Sequence, residues 1–435
     1  MKWSRYNVFV PMSGKGQVAV FNTLSRSLSK LDFKRDFDEN LPPDVYADSK
    51  QLLRLESLGI VCDDALDETL VFKAEVRRRC HSNQDLALFV ALSSACNFKC
   101  RYCYESYRDD GNAEKNMTME SWKEVYKFIL SRIEADKIKN LLVVFYGGEP
   151  LLNYDVLLEA SRQLHELKSR VRLNCSLVTN GSLLSPERSA ELSQYIRQVQ
   201  VCMDGLPQDH DIRRPYRDGR ASFEDIMANM PACLSNFRRV TLSVGTDDES
   251  VDRLPGFLDM FASRVPSREN LAVVFRWIFS SQHEIEQGRN IALLDTDKVG
   301  KLLQLHRKAA SLGFLVTKDF IEGPCMYPMS GGMVIDEKLN VYKCPGMIYQ
   351  RACGAIRDGR IDGKNNNWYE GVTWAPSCAD TCKYGPICYG GCRWKLNAHG
   401  GGCPKRQHEM NLAERVKMYM SLRYCGGVEE NRCLK

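Results

Sequence analysis

The sequence predicts an α/β chain in three parts: a small α+β unit over residues 1–85, six β-α units in series over 86–316, and a loop-rich, cysteine-dense segment over 317–435. Three observations carry this reading. Short apolar runs alternate with helix-period patterns through the middle of the chain, the pattern of a parallel sheet with crossover helices. Near residue 317 that alternation stops, and Gly, Pro and Cys take over. Ahead of residue 86, two strand-like pieces precede one apolar-periodic stretch.

In order, residues 7–11 and 17–21 read as strands, and 45–58 as a helix ended by Gly59. Cys62 and Cys80 stand isolated there and read as ordinary buried or surface thiols. The middle part offers strands at 86–92, 141–146, 173–179, 199–203, 240–244 and 272–278. Helices fit between them, such as 119–133 behind a Thr118 N-cap. In barrels of such units, function gathers at the C-terminal ends of the strands. The third part holds Cys325, Cys344, Cys353, Cys378, Cys382, Cys388, Cys392 and Cys403. A helix over 407–424 closes the pattern, with Cys425 and Cys433 behind it expected to be unligated.

Composition narrows the class. The chain has 435 residues and 18 cysteines, and its N-terminal stretch shows no apolar signal region, so the thiols are expected to bind metal in a cytoplasmic setting rather than form disulfides. No apolar run approaches the roughly 20 residues of a membrane span. The net charge of +5 is spread through mixed-sign segments, and Arg77-Arg78-Arg79 reads as a solvated face, so neither nucleic acid nor a membrane is expected as a partner.

The densest chemistry follows the first middle strand. Cys96, Cys100 and Cys103, spaced C-x3-C-x2-C, put three thiolates on one short loop. A [4Fe–4S] cluster normally takes four cysteines, so three leave one iron open to an outside ligand. The alternative is a structural zinc loop, which needs a fourth Cys or His close by; the nearest histidine is His81, before the strand. After the second strand comes Gly147-Gly148-Glu149-Pro150, where glycines permit close backbone approach and the carboxylate suits an ammonium. Thr179-Asn180-Gly181 follows the third strand and by itself reads as an Asn-Gly turn. After the fourth come Met203-Asp204-Gly205, His210-Asp211 and Arg214.

These motifs, in this order and with the aromatic Tyr102 before the last cysteine, resemble the radical S-adenosylmethionine (SAM) superfamily. The resemblance implies a partial (β/α)6 barrel, a SAM-binding [4Fe–4S] cluster on Cys96, Cys100 and Cys103, and SAM held by Tyr102, Gly147, Gly148, Glu149, Pro150, Thr179, Asn180, Asp204 and Arg214. Glu149 would meet the SAM amino group. Arg214, a planar fork suited to a carboxylate, would meet its carboxylate. Met203 stands where the family usually has Leu, a volume-conserving change.

The C-terminal cysteines resemble the SPASM domain, which carries up to two auxiliary [4Fe–4S] clusters. By motif position, Cys378, Cys382, Cys388 and Cys403 would hold one. Cys325, Cys344 and Cys392 would hold the other, with Cys353 as a fourth ligand or an iron left open. Leu339 replaces a family glycine, Cys378 and Cys382 are separated by three residues rather than two, and no cysteine lies shortly upstream of Cys325. A tetrathiolate zinc site is the alternative reading of these C-x3-C pairs.

The resemblance implies a maturase that modifies a ribosomally made precursor peptide, forming a thioether or other side-chain crosslink. It would use an external electron donor such as flavodoxin or ferredoxin, and residues 1–85 would be a winged-helix-like peptide-recognition unit or a packing cap for the barrel. An anaerobic sulfatase-maturing enzyme that makes formylglycine is the alternative within the mechanism, and an iron–sulfur electron carrier the alternative outside it. Asp204, Asp211 and Glu105 are candidates for proton transfer by residue type alone.

Overall fold

The computed structural model describes residues 1–14, 16–103, 105, 115–278, 296–316, 325–372, 378, 380–393, 403 and 405–425; Cys433 lies outside them. The N-terminal unit contains β1 (Lys2–Trp3), β2 (Asn7–Pro11), β3 (Gln17–Asn22), β4 (Leu28–Asp32), α1 (Ser49–Ser57), β5 (Val61–Cys62) and α2 (Glu68–Cys80). β2, β3 and β4 form an antiparallel sheet, and β1 pairs with β5. The expected helix over 45–58 starts later, at Ser49. Asp48 accepts from the Gln51 amide while the Gln51 side chain accepts from the Asp48 amide, a capping box. It ends where Gly59 takes φ +68°. β4 and α2 escape the sequence reading. Among the apolar side chains of α2 only Phe72 and Cys80 are buried, so its periodicity is faint.

The unit is built into the molecule. One sheet face packs Val8, Val10, Ala19 and Phe21 against Cys382, Tyr384, Ile387, Leu412, Val416 and Met420 of the cysteine-rich part and the closing helix, Lys405–Cys425. Phe72, fully buried, meets Tyr6 and Tyr389 edge-on, with ring centroids 5.9 and 6.2 Å away.

The middle part forms β6 (Asp85–Ser93), α3 (Met119–Asp136), β7 (Asn140–Gly147), α4 (Tyr154–Glu166), β8 (Arg172–Thr179), α5 (Pro186–Leu192), β9 (Gln198–Met203), α6 (Pro207–Arg213), α7 (Phe223–Asn236), β10 (Arg239–Thr246), α8 (Leu254–Arg264), β11 (Leu271–Trp277) and, after the helix Thr296–Ser311, β12 (Leu315–Val316). β6 to β12 are parallel and adjacent in chain order. All six expected strands form. Along β6, Leu86, Leu88, Val90 and Leu92 alternate into the main core, which they share with Trp122, Phe128 and Ile129 of α3. Thr118 caps α3 by accepting from the Ser121 amide.

The sheet does not stop at the middle part. β13 (Gly332–Ile335) pairs parallel with the other edge of β6, and β14 (Asn340–Tyr342), β15 (Gly354–Arg357) and β16 (Arg360–Asp362) follow antiparallel, giving eleven strands in one sheet. A Cβ on Gly331 would meet the Asp85 carbonyl at 2.0 Å, so this seam needs a glycine. The cysteine-rich segment is thereby joined to the strand that precedes the Cys96 loop.

Candidate active site at the strand ends

The loop leaving β6 is gripped by the three motif segments that follow the next three strands. From the β7 end, the Gly148 amide donates to the Ser93 carbonyl and the Glu149 amide to the Ala95 carbonyl, each at 2.8 Å. This accounts for the glycine pair. A Cβ on Gly147, at φ +125°, would lie 2.4 Å from the Ser93 carbonyl, and one on Gly148 would lie 2.2 Å from that of Ala95. The close approach inferred from the sequence is thus made at least in part to the chain's own loop. From the β8 end, the Asn180 side chain donates to Asn97 at 2.8 Å and the Asn97 side chain to Ser182 at 3.0 Å. Beyond β9, the Lys99 amide donates to the Pro215 carbonyl and the Arg217 amide to the Asn97 carbonyl, while Phe98 meets Tyr216 edge-on at 4.9 Å. Asn97 and Tyr216 escaped the sequence reading, because the side chains they meet across the site, Asn180, Ser182 and Phe98, lie far from them in sequence.

The carboxylate of Glu149 is fully buried. It accepts from the Leu151 amide at 3.0 Å, the Thr179 hydroxyl at 2.7 Å and the Asn180 amide at 2.8 Å, tying the ends of β7 and β8 together and capping the turn that begins at Pro150. Burial raises its pKa, and these donors only partly offset that. A carboxylate offers about four acceptor positions, so one remains for a further donor such as an ammonium.

A second group is built on Tyr102, Asp204 and Arg214. The Tyr102 hydroxyl donates to Asp204 and accepts from Arg214 at 2.7 Å, and Arg214 stands 4.0 Å from Asp204. Burial pushes the Tyr102 phenol well up, so it stays protonated. For Arg214, burial alone would lower the pKa, but the charges of Cys100, Tyr102, Asp204 and Cys202 outweigh it. Its Nε is buried and has no hydrogen-bond partner among the described residues. An orphaned buried donor costs about 1–3 kcal/mol, which a ligand carboxylate would recover.

His210 and Asp211 frame this group. The Asp204 amide donates to His210 Nδ1 at 3.2 Å, so His210 Nε2 carries the proton and donates to Ser222 at 3.0 Å; the Ser222 hydroxyl in turn donates to the Arg214 carbonyl at 2.7 Å. Burial holds His210 down to about 3, so the ring is neutral. Asp211 accepts from the Ser222 and Phe223 amides at the start of α7, which makes it structural.

The thiols fall into three neighbourhoods. Burial pushes Cys96 up to about 12 and Cys103 to about 11 and also raises Cys100; both Cys96 and Cys103 feel the charge of Cys100, while Arg214 partly offsets the rise at Cys100. Cys202, on β9 beside Met203, is charge-coupled to Cys100 and Arg214, and no motif pointed to it. In the C-terminal part Cys378 is coupled to Cys382 and Cys403, whereas Cys344 is coupled to Cys392 and Cys325. Cys388 ends a short helical turn and Cys353 is buried apart. Burial keeps these thiols protonated in the absence of metal, and among the described residues no group of three or more Cys, His, Asp or Glu side chains stands where it could hold a metal ion.

The donor chemistry fits the implied groups: soft thiols on one loop, one spare acceptor position on Glu149 and a spare buried donor on Arg214. No helix among the described residues is long and apolar enough to cross a membrane.

Comparison with known proteins agrees with this geometry. Residues 90–261 match the family described as Radical SAM superfamily. The chain is 24% identical over 237 residues to the radical SAM cyclopropyl synthase TigE of Paramaledivibacter caminithermalis, covering 50% of this chain and 47% of that one. It is 31% identical over 144 residues to a cysteine-type anaerobic sulfatase-maturating enzyme of Clostridium perfringens, covering 32% and 38%. The matches span less than half the length of either relative. A solved structure of anSMEcpe with bound AdoMet shares the fold, with a TM-score of 0.59, 18% identity, and coverage of 77% of this chain and 97% of that one. Residues 90–261, which carry the cysteine loop, the motif segments that grip it and most of the parallel sheet beneath, match a radical SAM superfamily domain.

Proposed function

We propose that the chain is a radical SAM/SPASM maturase that modifies a ribosomally made precursor peptide, forming a thioether or other side-chain crosslink. The observation that carries this reading is that the Cys96 loop, Glu149 and Arg214 meet at the ends of adjacent parallel strands, while a cysteine-rich segment continues the same sheet from β6. When bound, a cluster on Cys96, Cys100 and Cys103 with SAM would supply a 5′-deoxyadenosyl radical from one reducing electron.

The chain's own residues do the positioning. Glu149 offers its remaining acceptor position to the SAM amino group, and the Arg214 Nε–H awaits its carboxylate. Tyr102 and Asp204 fix the guanidinium, and His210 and Ser222 fix the backbone on either side of it. Asp204 and Arg214 are buried and Tyr102 half-buried, so water has limited access to this end of the site. Pro150, Thr179 and Asn180 then act through Glu149 and the loop. By motif position Cys378, Cys382, Cys388 and Cys403, and Cys325, Cys344 and Cys392 with Cys353 as a fourth ligand or an iron left open, would hold the auxiliary clusters, which would supply electron uptake or a site for a peptide thiolate, with flavodoxin or ferredoxin as the reductant's class.

Sulfatase maturation is a second reading, supported by the Clostridium perfringens relative and by a solved anSMEcpe structure that holds a peptide beside AdoMet. Incubating the reconstituted chain with SAM, dithionite and either a peptide encoded beside its gene or a sulfatase-derived peptide separates the two. Hydrogen loss from the first peptide by mass spectrometry is expected; formylglycine in the second, with the first unchanged, would replace the proposal.

A further inference from the structure

We propose that Arg276, on the inner face of the sheet, receives a carboxylate of the peptide substrate and so selects for an acidic group near the residue that is modified. This rests on the peptide-maturase reading above and names a feature of its substrate.

The alternation of β11 fixes where the side chain points. Phe275 and Trp277 lie in the main core shared with the helices, so Arg276 between them stands on the opposite face, toward the barrel interior. That face differs along the sheet. On β6, β7 and β8, Phe89, Tyr146 and Val178 pack with Tyr342, Ile348 and Tyr349 of the C-terminal part in one apolar cluster. On β9, β10 and β11 the face stays polar, with Gln200, Cys202, Ser243 and Arg276, and Arg276 is exposed. One wall is dry and the other is wet.

The register sets Arg276 beside the site already described. Gly245 is its partner on β10, and the Gly245 amide donates to Asp204 at 3.2 Å. Arg276 thus stands two strands along from the end of β9, where Asp204 lies 4.0 Å from Arg214. A Cβ on Gly245 would lie 2.9 Å from Asp204 Oδ1 and 3.2 Å from Ile278 Cδ1, so a glycine keeps the space between them clear.

The charge of Arg276 is unanswered. Around the same strand ends Arg213 pairs with Asp247, Arg214 with Asp204 and Lys298 with Asp248. Arg276 has no carboxylate partner among the described residues; its Nη2 donates to the Gln200 side-chain oxygen at 3.0 Å. Gln200 is a neutral acceptor on the same inner face, so it orients the guanidinium without cancelling its charge. A guanidinium carries five N–H donors, which leaves a planar pair to hold a carboxylate bidentately. An Asp or Glu side chain of the peptide and its C-terminus both offer that group.

The test uses the reconstituted full chain with SAM, dithionite and the peptide encoded beside its gene, and reads kcat and KM for peptide modification by mass spectrometry. Each Asp and Glu of the peptide is changed in turn to Asn or Gln, and separately its C-terminus is amidated, which tells a side chain from a terminal carboxylate. Arg276→Gln should raise KM about tenfold or more, with kcat changed less. One altered peptide should raise KM equally with the intact chain and no further with Arg276→Gln. Arg276→Lys keeps the charge but not the fork, and should recover part of the loss. The peptide arms read the intact chain, so they decide the matter even where Arg276→Gln fails to fold. An unchanged KM for Arg276→Gln, no altered peptide with a raised KM, or rises that add in full would overturn the assignment. Formation of 5′-deoxyadenosine by an intact chain that leaves the peptide unmodified would instead remove the peptide reading, and this inference with it.

Discussion

The two cysteine-bearing regions are held in opposite ways. The Cys96 loop is laced into the ends of the sheet by backbone hydrogen bonds and by the motif residues Gly148, Glu149 and Asn180, all within one run of β-α units. Of the C-terminal thiols, Cys378, Cys382 and Cys388 lie in turns and a short helix whose placement depends on side-chain packing against an N-terminal unit far away in sequence, through the shared apolar cluster and the Phe72–Tyr389 contact. A loop held by its own sheet should tolerate loss of the N-terminal packing; a thiol set held across the chain should not.

The largest expected effect breaks that packing. Phe72→Ala removes a fully buried ring and should cost about 3–5 kcal/mol in denaturant unfolding. In the background lacking Cys96, Cys100 and Cys103 it should also lower retained iron; unchanged iron would show that the two regions are held alike. Next comes Arg214→Ala, which removes the cation beside the buried Asp204 carboxylate and leaves it to the Tyr102 hydroxyl and the Gly245 amide. A loss of about 3 kcal/mol is expected, with SAM affinity by calorimetry falling at least tenfold and auxiliary iron unchanged. Smaller is Glu149→Gln, whose amide can no longer accept from every donor around it, a cost of about 1–3 kcal/mol read in urea unfolding.

Per unit of pH, the smallest effect comes from protonation. His210 is held at about 3 in the fold, below its ordinary value of 6.5, so its stabilising contribution is complete above pH 6.5 and is lost as pH falls toward 3. Urea unfolding across that window should lose up to about 1.4 kcal/mol per pH unit from this group. His210→Asn, which keeps an acceptor for the Asp204 amide, should flatten the slope; an unaltered slope would remove His210 from the frame.

The same contrast explains what the sequence disclosed. The six strands were legible because their apolar runs are strong, and the loop motifs because their residues lie at fixed places beside strand ends. The partition of the C-terminal thiols into a Cys378 group and a Cys325 group comes from motif order alone. What stayed hidden depends on tertiary packing. α2 buries too little apolar surface to show a period, and the seam between β13 and β6 joins segments more than 200 residues apart. Glu149 was picked out for an ammonium, but the sequence did not show that three of its acceptor positions serve the fold.

The most direct test of the central claim is SAM cleavage by the anaerobically reconstituted chain under dithionite, followed by chromatography of 5′-deoxyadenosine. The intact chain should form it, and the variant with Cys96, Cys100 and Cys103 changed to Ala should form none while keeping its auxiliary iron. Formation at the intact rate in that variant, or none from the iron-loaded intact chain, would contradict the account.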